Sequence, residues 1–136
     1  MCQIGDIILV YNPKRFRKPI GMHSFVVLDD NQGKIRGLDF DFIGLLMSSM
    51  DTEEKREKLM NYDGNFPITP DEQDIEYGGN GKDACIKAEQ FYFFNKDKIK
   101  YQVIGRLEED IFNLLIEFIE ELNEKGIKFQ EIMGNV

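Results

Sequence analysis

One segment limits the fold more than any other. Between Glu108 and Glu124 the apolar residues Ile111, Leu114, Leu115, Phe118, Ile119 and Leu122 recur at steps of three and four. This spacing predicts an amphipathic helix whose apolar stripe faces the core. Glu108, Glu109 and Asp110 suit the positive end of its dipole, and Gly126 follows Lys125 as a natural C-cap. Everything before the helix breaks into short β-forming runs. Ile4–Tyr11 and Phe25–Leu28 read as strands, Lys34–Phe42 as extended chain with a bulge at Gly37, and Ile43–Met47 as a further strand or its continuation. Ala84–Phe94 and Ile99–Arg106 are expected as two more strands around a turn at Asn95–Lys98. Residues 12–21, NPKRFRKPIG, read as an exposed loop, 29–33 as a turn and 61–83 as a long irregular segment. Asp51 and Glu54 have capping-box spacing ahead of a short helix, and the tail 127–136 either adds a strand or stays loose. The expected class is mostly β (β+α), a small barrel or curled sheet carrying a short middle helix and a packed C-terminal helix.

With 136 residues and no visible repeat or linker, the chain is expected to form a single domain over 1–136. Its 42% apolar and 31% charged residues are a globular mix and exclude a collagen-like or wholly disordered chain. No apolar run is long enough to span a bilayer, and MCQIGDIILV lacks a signal peptide's basic leader, so no membrane partner is expected. Cys2 and Cys85 are the only cysteines, which fits a cytoplasmic protein without a disulfide framework.

The formal charge of −8 argues against a general nucleic-acid binder. Its distribution is uneven, however. Residues 1–60 hold nine acids and nine bases, whereas 61–136 hold sixteen and eight. Lys14, Arg15, Arg17 and Lys18 cluster within five positions, and no acid lies between Asp6 and Asp29. This run is either a local site for phosphate or a solvated loop.

No compact His/Cys spacing points to zinc, and GGNGK at 78–82 lacks the full P-loop spacing, with Asp83 where Ser or Thr would meet Mg²⁺. No dinucleotide fingerprint or nucleophile elbow occurs, so no cofactor and no metal are expected. What remains is the basic loop and its surroundings. Lys14, Arg15, Arg17 and Lys18 can hold a phosphate backbone, His23 can transfer a proton near neutrality, and Ser48 and Ser49 offer hydroxyls. Tyr11, Phe16 and Phe25 are candidate stacking surfaces, although Phe25 reads better as a core residue. The nucleic acid that fits phosphate contacts with stacked, splayed bases is single-stranded RNA. Such a site can cleave RNA without metal: the 2′-hydroxyl attacks phosphorus, one group takes its proton, and a cation stabilises the developing charge. His23 is the proton-transfer candidate and Arg15 or Arg17 the charge stabiliser, although a lone histidine is commonly structural.

The opening IGDIILVYN, the basic loop and GMHSFVVLDD resemble the first strand, loop and second strand of the MazF/PemK family of toxin endoribonucleases. AEQFYFFNKDKIKYQVIGRLEEDIFNLLIEFIEEL resembles that family's closing strands and terminal helix, with Gly105-Arg106-Leu107 at the strand exit. The resemblance covers about residues 4–50 and 84–124. It implies an SH3-like β barrel, a homodimer, and a metal-independent RNase of the bacterial cytoplasm restrained by an antitoxin protein. The family pairs an arginine after the loop glycine with a threonine or serine ending a later strand. Those places hold His23 and Ser48 here, with Ser49 adjacent. Histidine lacks arginine's permanent charge and five-donor fork, which Arg15, Arg17 or Lys18 would have to replace. The insertion-like stretch at about 51–83, with Asp71, Glu72, Asp74 and Glu76, either shapes an RNA groove or repels RNA. The alternative function is a catalytically inactive relative that binds RNA or a protein.

Overall fold

The structure, a computed structural model, describes residues 2–30, 40–75 and 82–136. In chain order the strands are β1 (Asp6–Tyr11), β2 (Lys14–Arg15), β3 (Lys18–Pro19), β4 (His23–Asp30), β5 (Phe42–Ser49), β6 (Asn65–Ile68), β7 (Gln73–Ile75), β8 (Ala84–Phe94), β9 (Lys100–Leu107) and β10 (Gln130–Asn135). Helix α1 (Glu53–Met60) lies between β5 and β6, and α2 (Glu109–Glu124) between β9 and β10. Among the described residues one mixed sheet runs β10-β8-β5-β4-β1-β9-β7, with β6 also pairing along β8 and β2–β3 forming a separate hairpin. β10 lies parallel to β8, and the other ladders are antiparallel. The architecture is therefore mostly β with two helices.

Both sheet faces bury apolar side chains, which is why the central strands are nearly continuous hydrophobic runs. On one face Ile7, Val26, Leu45, Ile86 and Ile104 pack with Leu115 and Leu122 of α2. On the other, Ile8, Val10, Phe25, Leu46, Tyr92 and Phe94 pack with Cys2 and with Ile132 of β10. The Phe25 ring meets those of Tyr92 and Phe94 edge-on, each at 5.0 Å between centroids.

The terminal helix follows its periodicity, with two adjustments. Glu108 is the N-cap, and Leu114 is 50% exposed, at the margin of the apolar stripe. Gly126 takes φ +78°, letting its N–H reach Asn123 O while Ile127 N–H reaches Leu122 O, a Schellman ending. Thr52, not Asp51, caps α1, accepting from Lys55 N, while the Asp51 carboxylate bonds Lys55 Nζ at 2.9 Å.

Two expectations of irregular chain are corrected. The 12–21 loop contains the β2–β3 hairpin, and 61–83 contains β6, a 3₁₀ turn at Pro70–Glu72, and β7. β6 and β7 are short, with Pro67 inside β6 and Pro70 ahead of β7, so pairing with β8 and β9 stabilises them rather than local propensity. The second strand is longer than expected, running through Asp29 and Asp30, and the tail becomes β10. The extended run at 34–39 with Gly37, and the glycines at 78–81, lie outside the described residues.

Candidate nucleic-acid interface

The basic residues are held on a built element. β2 and β3 pair Lys14 with Pro19 and Arg15 with Lys18, leaving Phe16 and Arg17 as a two-residue turn. Both turn residues have positive φ, 49° and 70°, the backbone of a type I′ hairpin. Non-glycine residues in that region cost about 1–3 kcal/mol each, so surrounding contacts must hold the turn. The contacts are at its base. Ile20 N–H donates to Pro13 O at 2.9 Å, and Gly21 N–H to Asn12 Oδ1 at 3.2 Å. From β10, the buried Asn135 side chain accepts from Lys14 N at 2.7 Å and donates to Lys14 O at 2.9 Å, imitating one rung of a ladder.

The result is a pinned, cationic tip. Lys14, Arg17 and Lys18 are exposed, Arg15 is half-buried, and Phe16 is 63% exposed with the Arg15 guanidinium 5.5 Å from its ring centre. The ion pairs among the described residues use Lys55, Arg56 and Lys82, and none uses a hairpin base.

His23 opens β4 opposite Val10. It is half-buried, and its Nε2 lies 3.1 Å from Ile20 O. Because a carbonyl only accepts, Nε2 carries the hydrogen in this bond, and in the neutral ring Nδ1 keeps the free lone pair. Ser48 and Ser49 close β5 opposite Cys85 and Ala84. The β4–β5 ladder pairs Phe25 with Leu46, so His23 and Ser48, each two residues beyond that pair, stand at the same end of neighbouring strands. Alternation gives them the face shared by Phe25 and Leu46. Ser49 is exposed and falls on the other face. Tyr11 is 44% exposed, whereas Phe25 is fully buried and belongs to the core.

A cleft of about 320 Å³ adjoins this end, lined by Arg15, by Lys58, Leu59 and Tyr62 at the end of α1, by Asn65, and by Lys87, Glu89 and Gln90 of β8. Of the sequence-predicted site residues, only Arg15 lines it. Ser48 lies opposite Cys85, and alternation along β8 carries Cys85 and Lys87 to the same face. Within the cleft Asn65 Nδ2 donates to Leu59 O at 2.7 Å, closing the end of α1. The Glu89 carboxylate packs so closely over Gly64 that a Cβ there would come within 2.6 Å of it. Gln90 Oε1 and the Tyr92 hydroxyl are buried without hydrogen-bond partners among the described residues. Burial raises the Tyr92 hydroxyl above its ordinary pKa, and the nearby Arg15 charge opposes that rise. A larger cavity of about 520 Å³ beside Gly5, Arg106 and Phe112 carries Glu108 and Glu109 on its wall, a poor surface for an anion.

Sequence reasoning missed Lys58, Tyr62, Lys87, Glu89 and Gln90. They are scattered along the chain without a motif, and the β6–β8 pairing brings them together. No family model matches the chain, and no curated protein matches it.

Proposed function

We propose that this chain is a metal-independent endoribonuclease of the MazF/PemK toxin type, an SH3-like barrel that cleaves single-stranded RNA by 2′-hydroxyl attack. The observation carrying this reading is the convergence of His23 and Ser48 at one end of β4 and β5, beside a cationic hairpin that has no ion-pair partner among the described residues. In this reading His23 Nδ1 takes the 2′-hydroxyl proton. The 2′-oxygen bonds to phosphorus and the bond to the 5′-oxygen breaks, giving a 2′,3′-cyclic phosphate and a 5′-hydroxyl once that oxygen is protonated. Arg15 and Arg17 stabilise the charge on the phosphoryl oxygens, and Ser48 donates a hydrogen bond to one of them. Lys14, Lys18 and Ser49 hold the flanking backbone. The same reading makes the protein a homodimer in a bacterial cytoplasm, held inactive by an antitoxin that competes with RNA for the basic hairpin.

His23→Ala is expected to slow cleavage of a defined single-stranded RNA by about 10²-fold or more, consistent with loss of a general base. An unchanged rate would remove His23 from proton transfer. A second reading, an inactive RNA- or protein-binding module, is favoured by histidine at the place where the family carries arginine. RNA retained intact by the wild-type protein would support it.

A further inference from the structure

We infer that the cleft between the hairpin and α1 seats one nucleotide of a single-stranded RNA, with its phosphate on Arg15, Lys58 and Lys87 and its base on Tyr62. The inference rests on the RNA reading above and assigns that ligand a second contact site. Three cations and one acid line the cleft of a chain whose net charge is −8, so its local sign is opposite to that of the whole. Its volume of about 320 Å³ falls in the range of small-ligand sites.

Charge alone would suit any phosphate, but two further features favour a nucleotide. Tyr62 is 57% exposed and sits on a tight turn, its N–H bonded to Leu59 O and its carbonyl accepting from Asn65 N–H, and its ring on the cleft wall is a surface on which a base can stack. On the cleft wall Glu89 adds a carboxylate, an acceptor. It calls for an N–H donor, which bare phosphate lacks and a nucleobase supplies. Arg15 joins hairpin to cleft, and the Ser48–Cys85–Lys87 face joins the cleft to the end of β5, so one strand of RNA can run across all three.

The test is fluorescence anisotropy of the full chain with a labelled 2′-O-methyl RNA oligonucleotide, which cannot undergo 2′-hydroxyl attack, over a range of NaCl concentrations. Lys58→Gln/Lys87→Gln is expected to weaken binding about tenfold and to reduce the slope of log K against log salt by about 1.4. Tyr62→Ala is expected to weaken it about fivefold or more. Lys128→Gln, on the exposed segment after α2, serves as the control and should match wild type. If wild type binds but both cleft variants keep its affinity and salt slope, the cleft assignment falls and the RNA reading stands. If wild type binds no oligonucleotide, both fall.

Discussion

At the scale of single residues, His23 illustrates how a fold orients an imidazole. Its Nε2–H bond to Ile20 O ties the imidazole to the end of the hairpin and leaves Nδ1 as the lone-pair nitrogen of the neutral ring. The two thiols and Tyr92 are governed mainly by burial. Burial raises the Cys2 and Cys85 thiols above their ordinary value of 9.0, against the lowering charges of Lys96 and Lys87, and raises Tyr92 above 10.0 against Arg15. The unfolded chain ionises these groups first as pH climbs, so the thiols' contribution to stability is lost progressively above pH 9.0 and that of Tyr92 above pH 10.0. The thermal midpoint is expected to decline progressively once pH passes about 9, and Cys2→Ala/Cys85→Ala to move the onset toward the tyrosine range. Thermal melts followed by circular dichroism between pH 7 and 11 check this, and a level profile through pH 10 would contradict it.

At the scale of elements, the hairpin is the least expected feature and the one nearest the proposed chemistry. A type I′ turn normally carries Asn-Gly, and Phe16-Arg17 gives no such signal, so NPKRFRKPIG reads as a loop. Its stability comes from Asn135, more than a hundred residues away, through a contact that no local pattern records. Phe16→Asn/Arg17→Gly is expected to raise the unfolding free energy by about 1–2 kcal/mol in urea titrations while weakening RNA binding, because it relieves strain and removes an aromatic and a cation. A stability loss would contradict the strained-turn account. The other elements sort by the same physics. α2 and β8 were legible because periodicity and β-branched or aromatic runs are local properties of Glu109–Glu124 and Ala84–Phe94. β6 and β7 were not, since Pro67 and Pro70 punctuate them and their order comes from the edges of β8 and β9. Asp51 and Thr52 are both good caps side by side, and only the structure shows Thr52 taking the role while Asp51 binds Lys55.

At the scale of the whole molecule, the basic hairpin and the cleft form a positive island on a chain of net charge −8. The basic run, His23 and Ser48 stand out in the sequence as candidates; the cleft does not, because its walls come from β2, α1, β6 and β8. In the proposed function, such an island holds RNA through phosphate contacts, and binding is then expected to fall steeply with salt. The most direct measurement of the central claim is the end chemistry of RNA incubated with the protein in excess EDTA, read by mass spectrometry, beside a 2′-deoxy oligonucleotide of the same sequence. The account predicts 2′,3′-cyclic phosphate and 5′-hydroxyl ends from the RNA and an intact deoxy strand. Cleavage that requires a divalent metal, leaves 5′-phosphates, or cuts the deoxy strand equally would contradict it.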